Sequence, residues 1–213
     1  MSEEQAVQPA SPPEPAKRLQ ILDGARVVFR ARGYEGASME MIAKEAGVSK
    51  GTLYVYFPNK EELFKALILC ESSDQAESGL NLGRDLGPIR EALQTIGLGY
   101  VTKMVKPERV STFRMVVGSA DQFPEFGAML YEAGPKRGTA KMCAFLTSRI
   151  EQGELKECDL ELAAGQFFSL CVSQILRRIL LNVERAPARE EMERHVSSAV
   201  DVFLAAYGTN REA

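Results

Sequence analysis

Between Gly47 and Pro58 the chain has room for roughly two turns of helix, and this spacing does most to limit what it can fold into. Residues 46–63 read AGVSKGTLYVYFPNKEEL. Gly47 ends a preceding short helix, Ser49 is placed to cap the next one, and Pro58 keeps that helix from running far past Phe57. Upstream, Leu22, Ala25, Val28 and Phe29 recur at helical spacing, and Arg30 and Arg32 precede a glycine stop at Gly33. Ser38 caps a short helix that turns Ile42 and Ala43 inward, with Glu40 in its first turn, where the helix dipole favours an acid. A longer helix followed by two short ones joined through a glycine is the order of a helix-turn-helix unit, whose second helix enters the DNA major groove.

The chemistry of the short helix is consistent with that use. On a wheel with Leu53 at the origin, Phe57 falls at about 40° and shares the buried face, with Val48 packing at the entry. Gly51, Val55 and Thr52 fall at about 160°, 200° and 260°, so the outward face consists of small groups. Such a face approaches base edges closely: the Thr52 hydroxyl hydrogen-bonds, and the Thr52 and Val55 methyls meet a thymine methyl. Tyr54 and Tyr56 lie on the two flanks, where each hydroxyl reaches a phosphate or each ring covers a seam between helices. Lys50, and Lys60 at the start of the next helix, add positive charge where free amides already favour an anion.

Charge is distributed accordingly. The net charge of −3 hides a segment, residues 17–66, with nine Lys/Arg against six Asp/Glu, on an acidic remainder. A modestly basic segment suits a region that meets phosphate. Four scattered cysteines (Cys70, Cys143, Cys158, Cys171) form no CxxC pair and read as reduced thiols. The single histidine, His195, excludes His-based triads and multi-histidine metal sites, and no cofactor is expected. No apolar run approaches the roughly 18 to 20 residues of a membrane span, so a soluble, cytoplasmic protein is expected, associated with the nucleoid when bound to DNA.

The rest of the chain also reads as helix. Residues 1–16 hold four prolines and almost no apolar side chains, a composition expected to stay disordered. Asn59 starts a helix carried forward by Leu63, Phe64, Leu67 and Ile68, followed by a glycine-rich break at 79–87. Ile89, Leu93, Ile96, Tyr100, Val101 and Met104 repeat at helical spacing, and further helices are expected at 107–120, 124–133, 135–152, 160–183 and 190–207. Alternating β-branched runs bounded by hairpin turns are missing. The expected fold is all-α: a tail (1–16), a three-helix helix-turn-helix DNA-binding domain (17–66) and a larger helical domain (67–213).

Residues 21–67, and within them the unbroken run RGYEGASMEMIAKEAGVSKGTLYVYFPNKEEL, resemble the DNA-binding domain of the TetR/AcrR family of bacterial transcriptional regulators. The resemblance implies operator contacts from Ser38, Lys50, Gly51, Thr52, Tyr54, Tyr56 and Lys60, with Ser38 and Lys60 on phosphates, and Val55 lies mid-face among them. Glu40 stands where some relatives carry a base-reading cation, and an acid does not bind guanine that way. Residues 118–137, GSADQFPEFGAMLYEAGPKR, resemble an AcrR-type C-terminal domain.

The family implies a homodimer formed by the last two helices, here about 160–183 and 190–207, on a pseudo-palindromic operator with recognition helices about 34–36 Å apart. The stripes Ala164, Phe168, Cys171, Ile175 and Val196, Val200, Phe203 serve either that interface or the chain's own core. It also implies repression relieved by a small apolar effector in the C-terminal domain, with the helix from Asn59 as lever. Met104, Phe113, Val117, Phe126, Met142, Phe145 and Phe168 are candidate pocket residues, although side chains of this kind are more often plain core. The alternatives are an effector-independent architectural DNA-binding protein and a small helical enzyme, the latter lacking a nucleophile with a base or a metal cluster.

Overall fold

The computed structural model describes residues 15–78 and 87–209, side chains of 73–78 excepted, and divides into two units between Leu67 and Ile68. Most of the tail expected to be disordered lies outside the described residues, but Pro15 and Ala16 belong to the first helix rather than to a tail. Proline is tolerated there because the first helical turn has no partner for its missing N–H. The expected glycine-rich break also lies outside the described residues, Gly87 apart.

The first unit contains α1 (Pro15–Gly36, broken at Gly33), α2 (Met39–Glu45), α3 (Lys50–Tyr56) and the start of α4 (Lys60–Ser78). Ile21, Leu22, Ala25 and Phe29 line the inner face of α1 and are fully buried. Phe29, Tyr34 and Phe64 close the core as an aromatic trio, Phe64 lying with its ring centroid 5.0 Å from each of the other two.

Two local features set α2 and α3 against α1. At Gly24 the helix meets the chain at Ala46 so closely that an added Cβ would lie 2.7 Å from its backbone. After α2, Gly47 takes φ 63°, its N–H donates to Lys44 O, and the Val48 N–H donates to Ala43 O, a Schellman turn that favours glycine. The Gln20 side-chain amide donates to Ala46 O at 2.7 Å and ties the same turn to α1.

The second unit contains the remainder of α4, then α5 (Ile89–Met104), α6 (Pro107–Gly118), α7 (Pro124–Tyr131), α8 (Arg137–Glu151), α9 (Leu160–Leu180, broken at Ser173) and α10 (Arg189–Tyr207). Helix α9 packs against α5, α8 and α10, and Phe167 meets Phe203 edge to face at 5.4 Å. Among the described residues there is no strand, only an isolated antiparallel bridge between Leu155 and Gly208 that ties the chain after α8 to the end of α10. The sequence pattern breaks the chain at Gly134 and Pro135, but α7 continues into α8 through a π-helical turn, Glu132–Lys136. The wider turn accommodates a proline that lacks an N–H and would clash with the carbonyl a turn earlier in an α-helix.

Gly24→Ala is expected to destabilise the first unit by about 1–3 kcal/mol through overpacking against backbone. Faster hydrogen exchange across α1–α3, with α9 amides unchanged, would show it.

Candidate functional site

Helix α3 is short because Ser49 starts it and Pro58 follows it. The Ser49 hydroxyl accepts from the Thr52 N–H at 3.0 Å, and Phe57 ends the helix in extended conformation. Leu53 and Phe57 are buried, and Arg18 lies over the Phe57 ring at 5.3 Å. The opposite side is bare: Val55 is 66% exposed, Tyr54 is 51% exposed, and Gly51 is exposed beside them. Thr52 and Tyr56 are half-buried, and the Thr52 hydroxyl shares a 2.8 Å hydrogen bond with Ser49. One helix thus presents a glycine, a valine and a threonine between two tyrosines, with no bulky group covering the middle.

The charged groups around this face are held rather than loose. Ser38 is exposed, and its hydroxyl caps α2 by accepting from the Met41 N–H at 3.2 Å. Lys50 pairs with Glu40 at 2.8 Å, so the acid passed over as a base reader instead joins the starts of α2 and α3. Hydrogen bonding to Lys50, and its charge, hold the Glu40 carboxyl below its ordinary range, and the same contact raises Lys50. Their ten-residue separation is not a helical spacing, so nothing in the sequence pattern signals the pair. Lys60 donates to Tyr34 O at 2.8 Å and to Glu35 O at 3.4 Å, with its ammonium over the Tyr34 ring. An ammonium has three N–H donors, so one remains for an anion.

The second unit holds a cavity of about 230 Å³ between α4, α5, α6, α7, α8, α9 and the π-helical turn. Met104, Phe113 and Phe168 line it, and Phe168 lies against Tyr100 at 4.4 Å. The other candidate pocket residues lie elsewhere. Met142 and Phe145 belong to the main core, Phe126 is buried against Phe123, and Val117 is 60% exposed. Apolar periodicity finds residues that face inward, but it does not separate those that meet a cavity from those that meet other side chains. Polar lining residues, including Ser72, Lys103, Arg109 and Thr112, escaped the sequence reading for that reason. Burial lowers the affinity of the Arg109 guanidinium for its proton and keeps the Tyr100 hydroxyl neutral to higher pH.

The stripes expected on the last two helices face the chain's own core: Ala164, Phe168, Cys171, Ile175, Val196, Val200 and Phe203 are all buried in it. Exposed apolar side chains there are Leu162 on α9 and Val202 on α10, with Leu181 and Val183 just beyond α9.

Residues 21–67 match the family described as bacterial regulatory proteins, tetR family, and residues 91–209 match the AefR-like transcriptional repressor C-terminal domain. The chain belongs to the TetR family. It is 27% identical over 162 residues to the HTH-type regulator YhgD of Bacillus subtilis, covering 73% of this chain and 80% of that one. A TetR-family regulator from Mesorhizobium loti superposes with a TM-score of 0.83 at 29% identity, covering 91% of this chain and 98% of the other. The flavonoid-responsive regulator FrrA does so with 0.75 at 29%, covering 92% and 98%. TetR-family members are DNA-binding transcriptional regulators without enzymatic activity, and this chain is one of them. Among the described residues no group of three or more His, Cys, Asp or Glu is placed to hold a metal ion, and no helix is long and apolar enough to cross a membrane.

Because Glu40 holds Lys50 beside the exposed face of α3, Glu40→Gln is expected to tighten binding to operator and random DNA alike. It should also steepen the fall of log affinity with log salt by about one counterion, leaving the melting temperature unchanged. Affinity measured from 50 to 300 mM salt tests this, and an unchanged slope would show that Lys50 does not reach phosphate.

Proposed function

We propose that this TetR-family regulator is a homodimeric repressor, held on a pseudo-palindromic operator by α3 and released by a small, largely apolar effector. In this reading Gly51, Thr52 and Val55 meet base edges. Tyr54 and Tyr56 flank them on phosphates, joined by Ser38, Lys50 and the remaining donor of Lys60. The exposed, small-residue face of α3 supports the base-reading role, because small side chains let the helix approach the base edges closely and Val55 offers a methyl to thymine.

The observation that carries release by an effector is the cavity, with Phe113, Phe168, Met104 and Ile96 forming an apolar wall. The description of the similar protein FrrA as flavonoid-responsive agrees with it. Helix α4 has residues in both units, with Lys60 near its start and Ser72 on the cavity wall, which suits it to be the lever. A coupling of about 1–3 kcal/mol would change operator affinity roughly five- to 150-fold. The homodimer forms through α9 and α10, where Leu162 and Val202 remain exposed in the single chain.

In the DNA-binding part of this proposal, Tyr54→Phe weakens operator and random DNA by the same factor, whereas Thr52→Ala lowers discrimination among single-base operator variants. A Thr52→Ala protein that ranks those variants as the wild type does would contradict the assignment. Titrating the operator complex with apolar ligands tests release; a complex whose affinity no ligand changes would favour an effector-independent architectural protein.

A further inference from the structure

The cavity lining is not wholly apolar, and its cationic residues outnumber its acidic ones. Four cationic residues, Lys103, Arg109, Arg137 and Lys141, line it against one carboxylate, Glu71. Two hydroxyls on the wall, Ser72 Oγ and Thr112 Oγ1, belong to residues 1% and 2% exposed and have no hydrogen-bond partner. Burying a hydroxyl without a partner is unfavourable, so a site that keeps two is suited to a ligand that accepts from them.

Arg109 on α6 reaches the backbone of α4 beside Ser72. Ser72 follows Glu71, whose backbone oxygen accepts from Arg109 Nη1 at 3.5 Å, and Thr112 lies one helical turn beyond Arg109 on α6. Tyr100 and Phe168, tilted against each other at 4.4 Å, and Ile96 add apolar surface to the same lining. At about 230 Å³ the space exceeds the roughly 150 Å³ of an apolar cavity that takes benzene, and suits a body of one or two rings.

We infer that the effector is an organic acid: an apolar, one- or two-ring body against the apolar lining, with a carboxylate accepting hydrogen bonds from Arg109, Ser72 and Thr112. This names the ligand class of the cavity and rests on the effector reading above. A carboxylate accepts a guanidinium in paired geometry and takes hydroxyl donors on its remaining lone pairs, which a neutral or cationic head does not match. The desolvated state of Arg109 agrees, since a bound anion restores the stabilisation that water supplies elsewhere.

The test uses three probes of one shape, 2-naphthoate, 2-naphthamide and 2-(aminomethyl)naphthalene, with calorimetry on the full-length protein. The acid is expected to bind at least tenfold more tightly than the amide, with the amine weakest. Arg109→Gln should weaken the acid at least tenfold and the amide less than twofold. Thr112→Val, a nearly isosteric change that guards against misfolding of the Arg109 variant, should weaken the acid about three- to tenfold. Amide or amine binding as tight as the acid, no binding by any probe, or equal losses for acid and amide in both variants would overturn the inference. Operator affinity measured with saturating acid separates the two readings: binding without release upholds the ligand class and removes the effector role.

Discussion

The close approach of α1 to the chain at Ala46 is the constraint on which the first unit depends. Gly24 permits it by having no side chain, Gln20 secures it through the Ala46 carbonyl, and Gly47 turns the chain out of α2 in a conformation that glycine adopts at little cost. Those contacts set where α3 starts. Ser49 then caps it, Leu53 and Phe57 fasten its inner side, and the outer side is left to Gly51, Tyr54 and Val55. Because α3 is too short to be stable alone, its position is inherited from this packing rather than from its own helix propensity.

The second unit meets a different requirement, keeping polar groups beside a cavity inside a helical core. Its main core joins the packed faces of α5, α8, α9 and α10, where Phe167 meets Phe203. The cavity shares Ile96 and Phe168 with that core, and the π-helical turn brings Ala133, Gly134 and Pro135 to its wall. Such π-helical turns often mark functional sites. Guanidinium and hydroxyl groups on such a wall are unfavourable in an empty apolar space and favourable around an anion.

Much of this was legible in the sequence, for physical reasons that differ from residue to residue. Glycine, proline and the cap residues act locally, so the limits of α3 could be read directly, as could the inward turn of Leu53 and Phe57. The Glu40–Lys50 pair and the seat of Lys60 on the Tyr34 and Glu35 carbonyls could not, because they join residues with no periodic relation. The cavity was legible only in part. Phe113, Phe168 and Met104 line it whereas Met142 and Phe145 fill the core, and both sets carry the same apolar signal. Pro135 signalled a helix end by its chemistry, and the chain met that chemistry with a π-helical turn.

In the proposed function the outward face of α3 meets the bases. A photo-crosslinking residue placed at position 55 of the full-length protein, irradiated on operator DNA and mapped by primer extension, tests it most directly. Crosslinks to major-groove bases at two positions about one helical turn apart are expected. Crosslinks confined to the sugar-phosphate backbone, or none from a protein that still binds the operator, would contradict it.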